Sequence, residues 1–468
     1  MRADFAYMSC PFPANTCSRM TNMQNSHMAR VAVFGTGYLG TTHAAGMAEL
    51  GHQVLGVDVD IDKLAKLQAG EAPFYEPGLD ELLKRNIGAG RLRFTSSYEE
   101  AARFASVHFV AVATPQRQGE FGAELKYVDA VFESLAPLLS LPAVIFGKST
   151  VPVGTAERLA ARVHQLAPVG DAVDVAWNPE FLREGFAVQD TLHPDRIVIG
   201  IDKDRPGRGE EVAREIYAKL LEKDTPFLVT DLATSELVKT SANAFLATKI
   251  SFINAIAELC EITGADVSVL ADAIGYDARI GRKFLNAGIG FGGGCLPKDI
   301  RAFMARAGEL GANQALTFLR EVDSINMRRR TWMMELTRQV VGGSLIGARV
   351  AILGAAFKAD SDDVRDSPAL NIAGQIQLQG ASVRIYDPKA MENSRAIFPT
   401  LDYATDTLEA CRGADVTLVL TEWSQFRELL PADLEGVVRQ RNIIDGRNCL
   451  DPKAWRGAGW TYRGIGRG

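Results

Sequence analysis

The sequence has no run of apolar residues suited to crossing a bilayer. An uncharged apolar stretch, Ser134 to Gly147, stops short of the ~20 residues that span hydrocarbon and carries Pro137 and Pro142. A membrane span is therefore not expected. Basic stripes with interleaved aromatics are also missing, and the net charge of −6 offers no phosphate-tracking surface, which excludes nucleic acid as a partner. Six cysteines, at 10, 17, 260, 295, 411 and 449, show no metal-ligand pairing. They read as free thiols in a reducing cytoplasm, with no metal site and no disulfide framework. Histidine is scarce at six residues, none of them in the motifs that follow. Met1 to His27 lack a basic head followed by an apolar segment, so no secretory signal is read there. That stretch is rich in Met, Asn and Ser, and residues 1–28 are set apart as a disordered extension.

What remains has 47% apolar and 23% charged residues, the balance of a globular chain. At roughly one domain per 100 to 200 residues, it divides into two to four. From Ala29 an apolar run, a helical stretch and a second run, HQVLGVDVD, open a βαβ unit. Further buried strands are expected at 107–114, 142–150, 173–180 and 195–201, which makes a doubly wound α/β domain over 29–215. A segment from Thr230 carries no proline and no glycine before Gly264. It reads as one long helix, capped by Thr230 or Asp231, inside a helical domain over 216–343. A second strand-turn-helix opens at 348–358, with strands expected at 382–388, 415–423 and 441–448, so 344–468 forms another α/β domain. The fold expected is two Rossmann-like doubly wound domains joined by a long central helix and a helical middle domain.

Gly35-Thr-Gly37-Tyr38-Leu39-Gly40 lies between the first strand and its helix, where glycines allow a tight turn and backbone approach to a pyrophosphate. Asp58 ends the next strand, placed to accept both adenosine ribose hydroxyls and to repel a 2′-phosphate, so NAD is expected rather than NADP. Lys63, five residues on, is a candidate for a second contact on the adenosine side, with a solvated helix charge as the alternative. Cys295 sits in GIGFGGGCLPKD, whose glycines at 288, 290, 292, 293 and 294 leave room for bulky groups beside one thiol. That pattern suits a nucleophile, with Lys298 as a nearby cation. Lys239 and Asn243, four residues apart on the long helix, share a face and can aim two donors at one oxygen. Glu180, in Asn178-Pro-Glu-Phe-Leu-Arg-Glu184-Gly after a strand end, can activate a water.

Together these motifs resemble the UDP-glucose 6-dehydrogenase family, within the wider UDP-glucose/GDP-mannose dehydrogenase group. The resemblance runs from Ala29 to Gly464 and includes Tyr75-Glu-Pro-Gly-Leu79, Thr114-Pro115, Lys148-Ser-Thr-Val-Pro-Val-Gly154, Asp277-Ala-Arg279, Tyr386-Asp-Pro388 and Asp445-Gly-Arg447. It implies Cys295 as nucleophile, Lys239 and Asn243 as oxyanion donors, Asp299 as an aid to proton transfer and Glu180 as promoter of thioester hydrolysis. Thr114, Thr150, Glu184 and Arg365 are implied on the cofactor side. Phe181, Leu182, Arg183, Phe291, Gly292, Phe357, Lys358 and Arg447 are implied around the substrate, with Arg279 reaching the site of a neighbouring subunit. A homodimer or higher oligomer through the central helix follows from the same likeness. The family's usual serine before the cysteine is Gly294 here.

The activity implied is four-electron oxidation of UDP-glucose to UDP-glucuronate through a thiohemiacetal and thioester on Cys295, with the run Arg279 to Leu285 favouring UDP-glucose. The alternatives are UDP-N-acetylmannosamine or GDP-mannose dehydrogenase, a two-electron β-hydroxyacid dehydrogenase, and a non-catalytic NAD-binding protein.

Overall fold

The computed structural model describes residues 28–467, so the extension read into residues 1–27 lies outside the described residues. Eight short strands build the first sheet: β1 (Arg30–Phe34), β2 (Gln53–Val57), β3 (Leu92–Thr95), β4 (Val107–Val110), β5 (Ala143–Gly147), β6 (Val173–Trp177), β7 (Ile197–Ile201) and β8 (Phe227–Asp231). Their order is β3-β2-β1-β4-β5-β6-β7-β8, parallel throughout except for the antiparallel junction of β6 with β7. The order reverses between β1 and β4, which leaves a crevice outside the carboxyl ends of those strands. The buried strands carry side chains to both faces, as period-two geometry requires. Val31 and Val33 of β1 join one apolar cluster, and Ala32 and Phe34 join the other.

The second sheet repeats the plan with β9 (Arg349–Leu353), β10 (Ser382–Tyr386), β11 (Asp402–Tyr403), β12 (Val416–Val419), β13 (Asn442–Asp445) and β14 (Thr461–Gly464). These lie in the order β11-β10-β9-β12-β13-β14, all parallel. Between the sheets runs one helix, Leu232–Thr263, of 32 residues, about 48 Å at ~1.5 Å per residue. Asp231 caps it by accepting the Thr234 amide, and Gly264 ends it in the left-handed conformation. The helix packs against Leu296–Glu309 and Phe318–Val340. Ile253, Ala257 and Met333 from these helices share a core with Ile352 and Leu418 of the second sheet, so the helical centre and the last domain form one body. Among the described residues no helix is long and apolar enough to cross a membrane.

Two differences from the sequence expectations have physical causes. The first sheet continues beyond 215 to Asp231, because β8 is an edge strand with no fully buried residue and so lacks the apolar signature of its neighbours. Several strands also end three or four residues early: β4 stops at Val110, β5 at Gly147, β6 at Trp177, β12 at Val419 and β13 at Asp445. The leftover residues leave the sheet at its carboxyl edge and supply the candidate site.

At the first turn the glycines are not equivalent. A Cβ on Gly40 would lie 1.7 Å from the Gly35 carbonyl oxygen, whereas one on Gly37 would meet nothing within 4 Å. Gly40 is demanded by packing and Gly37 by whatever occupies the open space at the start of helix Tyr38–Glu49. Gly40→Ala is expected to cost at least about 1–3 kcal/mol in urea unfolding. Gly37→Ala should unfold like the parent while losing NADH binding measured by fluorescence; the opposite pattern would refute this division.

Candidate active site

Asp58 leaves the end of β2 and turns back under the glycine turn. Its Oδ2 accepts the Thr36 amide and hydroxyl, both at 2.8 Å, and Lys63 Nζ at 3.0 Å. Oδ1 accepts only the Asp60 amide and is the less committed oxygen. Burial pushes this carboxyl upward, but the amides of Thr36 and Asp60, the Thr36 hydroxyl and Lys63 together hold it below the usual range. A permanent carboxylate beside open space over Gly37 fits a dinucleotide whose ribose hydroxyls donate to Asp58 and whose pyrophosphate meets helix-start amides. Tyr38 and Leu39 open that helix, and the Tyr38 hydroxyl bonds to Glu76, which also accepts the amides of Gly185 and Ala187 at 2.7 Å. Nothing local in Tyr75-Glu-Pro-Gly-Leu79 singles out Glu76. Its carboxylate ties the cofactor turn to the loop bearing Glu180 and Glu184.

Cys295 stands at the N-terminus of helix Leu296–Glu309. Among the described residues four cysteines are present, all free, and Cys295 alone is exposed. Crowding by protein on its inner side pushes the thiol up, and the Asp299 carboxylate adds to this, against the opposing charge of Lys239 and Lys298. Lys298 is not a dedicated thiolate partner: it pairs with Asp299 at 2.7 Å and reaches the Thr114 hydroxyl at 3.4 Å. The glycines before the sulfur also have a different reason from the one read in the sequence. A Cβ on Gly292 would lie 2.3 Å from the Asp366 carbonyl oxygen, one on Gly293 3.0 Å from the Phe357 ring, and one on Gly294 2.2 Å from the Arg365 guanidinium carbon. The glycine run makes room for the last domain, which presses on the thiol loop. Phe291 is buried, and its carbonyl and amide are both held by the Asn326 side chain.

Asn243 is buried and donates to Asp299 Oδ2 at 2.6 Å, so the two residues form one unit with Lys298 on the other carboxylate oxygen. One turn earlier on the same helix, Lys239 makes no ion pair among the described residues. Its ammonium lies 5.6 Å from the centre of the Phe181 ring, whose centre is also 3.8 Å from the Arg196 guanidinium carbon. Its charge is felt at both Cys295 and Glu180. Thr114 donates to the Thr150 carbonyl at 2.8 Å, joining the ends of the β4 and β5 loops beside Lys298.

Glu180 Oε1 accepts the amides of Phe181 and Leu182 at 2.7 and 3.1 Å, and Oε2 pairs with Lys148 at 3.0 Å. Burial raises this carboxyl, yet Lys148, the Phe181 amide and Lys239 outweigh it and keep it ionised below the ordinary range. Lys148 is itself buried and bonded to Asn178. A charged residue directly after the apolar run of β5 was the signal that could have singled it out. Arg183 is turned outward, with two nitrogens on Asp190. Glu184 is buried beneath the last domain, where burial and Asp363 push it up to about 7 despite Arg365 and Lys358.

From the last domain, Lys358 donates to the Glu184 carbonyl. Arg447 bonds to the carbonyls of Leu420, Phe357 and Gly290 at 2.8, 2.9 and 3.4 Å. Arg279 does not join this group: its side chain is 88% exposed and paired only with Asp277. The structure thus gathers Cys295, Lys239, Asn243, Asp299 and Glu180 with Thr114, Thr150 and Glu184 where the two α/β domains meet the helical centre.

Residues 29–221 match the UDP-glucose/GDP-mannose dehydrogenase family NAD binding domain, 233–328 its central domain and 351–452 its UDP binding domain. A UDP-glucose 6-dehydrogenase from Rhizobium meliloti is 41% identical over 438 residues, covering 94% of this chain and 99% of the relative. A solved UDP-glucose dehydrogenase from the hyperthermophilic archaeon Pyrobaculum islandicum superposes with a TM-score of 0.87 at 38% identity, covering 95% of this chain and 99% of that one. A UDP-D-ManNAc dehydrogenase from Pyrococcus horikoshii gives 0.81 at 27% identity, covering 94% and 99%. All three family domains match in order along one chain, and the protein is an NAD-dependent oxidoreductase of the UDP-glucose/GDP-mannose dehydrogenase family.

Proposed function

We propose that this enzyme oxidises C6 of UDP-glucose to the carboxylate of UDP-glucuronate through an acyl intermediate on Cys295. The observation that carries this reading is the exposed thiol of Cys295 within the electrostatic reach of Lys239, with Asn243 and Asp299 beside it. UDP-glucose is preferred over the N-acetylated and GDP-linked sugars because identity to the UDP-glucose enzymes, at 41% and 38%, exceeds the 27% to the UDP-D-ManNAc enzyme.

Bound NAD supplies the hydride acceptor for each of two oxidations. In the first, the C6 hydroxyl loses its proton to Lys239 acting as the free amine, or through a water to the Asp299 carboxylate, and the hydride leaves. The sulfur, as thiolate, then forms a bond to the aldehyde carbon; the carbonyl π bond breaks and its oxygen takes a proton, giving the thiohemiacetal. Loss of a second proton and hydride leaves the thioester. Glu180 takes a proton from water as its oxygen adds to the acyl carbon, Lys239 and Asn243 steady the oxyanion, and the carbon–sulfur bond breaks to release the acid. Glu180 suits this late role, because Lys148 and two amides keep it ionised and fixed.

A second copy of the chain is the partner this reading requires. Phe245, Phe252 and Leu259 recur every seven residues on the long helix and are 65%, 50% and 58% exposed, with Ile262 at 83%. Covering that face with the same face of another copy buries it and carries the exposed Arg279 toward the neighbour's site.

Two NADH per UDP-glucose is the expected yield; one would leave a simple alcohol dehydrogenase. Cys295→Ser should lower acid formation at least about a thousandfold while NADH binding persists, and parental turnover in that variant removes the sulfur from the chemistry. Glu180→Gln is expected to accumulate a sugar-nucleotide adduct visible in intact-protein mass spectra, so an unmodified mass under turnover removes Glu180 from hydrolysis. Phe252→Glu should shift sedimentation toward the monomer, and an unchanged profile would place the subunit contact elsewhere.

A further inference from the structure

Lys148 follows the last residue of β5 and stays inside the molecule, only 3% exposed. An ammonium buried there without a counter-charge would be strongly disfavoured. Glu180 Oε2, at 3.0 Å, is its only carboxylate partner among the described residues. The second contact is neutral: Asn178 Oδ1 accepts the ammonium at 2.9 Å and the hydroxyl of buried Tyr217 at 2.6 Å. The amide nitrogen of Asn178 donates to the Val198 carbonyl of β7, which pins that side chain in turn. The Phe109 ring lies 5.9 Å from the ammonium, and buried His43 is near enough to feel its charge. The sheet behind Lys148 therefore orients the ammonium, and one carboxylate in front balances it.

Two kinds of contact hold Glu180, and they act differently. The amides of Phe181 and Leu182 belong to its own loop and fix Oε1. Lys148 arrives from another strand end and brings a full charge to Oε2. We propose that Lys148 is the positioning residue of the hydrolytic step: its single ion pair holds Glu180 as an oriented anion, so that removing its charge stalls release of the acid and leaves both oxidations running. This rests on the assignment of Glu180 to thioester hydrolysis above. Both hydrides go to NAD with protons taken by other groups, so neither oxidation uses Glu180. Hydrolysis does use it, because the proton of the attacking water needs an ionised carboxylate to receive it. Besides Lys148, the charged or titratable groups around Glu180 are Lys239 on the long helix and the Tyr217 phenol, with Arg196 stacked on the far partner, the Phe181 ring. Burial raises the Glu180 carboxyl, and Lys148 opposes it more than Lys239 does. With the Lys148 charge gone, burial gains and the carboxyl takes up its proton at a higher pH. Hydrolysis then fails earlier on acidification.

Lys148→Gln removes the charge and keeps a donor for Asn178. Rapid mixing of this full-length variant with UDP-glucose and NAD is expected to give a burst of two NADH per site within about twofold of the parental rate. Steady turnover should then be at least about tenfold slower than the parent's, with a sugar-nucleotide adduct accumulating in quenched samples. Adduct loss, followed by intact mass across a pH series, should fall off at least about 1 pH unit higher than in the parent. Lys148→Arg restores the charge and should return the fall-off to the parental pH, even where the rate itself is lower. A slowed burst, no adduct, or a fall-off at the parental pH would overturn the proposal. A role in packing alone would lower thermal stability and the burst together and leave the pH dependence in place. If Lys148→Gln does not fold, Lys148→Met, uncharged and suited to the Phe109 wall, is read in the same way. Glu180→Gln separates the two failures: without an adduct there, the assignment of Glu180 itself falls, whereas an adduct there and none in Lys148→Gln removes only the role of Lys148.

Discussion

Glu236, buried near the start of the long helix, accepts the amides of Gly154 and Ala156 at 2.7 Å each and so caps helix Thr155–Leu166 of the first domain. Burial pushes this carboxyl up to about 7 against the pull of those amides. The rest of the site hangs from this one contact. Three residues on from Glu236 is Lys239, and four further is Asn243, all on a single stripe because 3.6 residues complete a turn. The first member grips the loop that follows Thr150, the second faces Phe181, and the third holds Asp299 beside the thiol. A rigid helix thereby sets the spacing between the cofactor domain and the Cys295 thiol, which loops alone would leave to fluctuate.

The charge balance around the sulfur follows from the same arrangement. A helix N-terminus favours a thiolate, yet crowding and Asp299 win in the ligand-free site and the thiol lies above its ordinary range. Asn243 and Lys298 each hold one oxygen of Asp299, which fixes where that carboxylate sits beside the thiol.

Much of this was legible because local chemistry dictated it. The glycine turn, Asp58, the long uninterrupted helix and Cys295 each carry a requirement that can be read within a dozen residues. Other features depend on partners far away in sequence. Glu76 looks like a solvated loop carboxylate until Gly185 arrives, 109 residues later, to donate to it. The glycines at 292–294 were assigned to ligand access, the nearest local reason, whereas their neighbours are Asp366, Phe357 and Arg365. Strand β8 lacks the signal of its neighbours because an edge strand need not be apolar, and the strand ends run three or four residues long in the sequence reading because nothing local marks where the backbone leaves the ladder for the polar residues at 148–150, 178–180 and 446–448.

The two sheets share a strand order, and the difference between them explains why only one suits a dinucleotide. In the first, helix Tyr38–Glu49 begins directly after Gly37 and Asp58 remains partly open. In the second, Asp387 ends β10 where Asp58 ends β2, but it is buried and accepts five donors: the amides of Ala355, Ala356, Lys389 and Ala390 and the indole of Trp423. No acceptor capacity is left there for a ribose. The helix after β9 is also delayed to Pro368, and the loop in the interval carries Phe357, Lys358, Asp363 and Arg365. The space that the first domain keeps for a pyrophosphate is used in the second for a loop that reaches out to the thiol. A repeated fold has in this way supplied one surface that suits a cofactor and one that presses on the Cys295 loop.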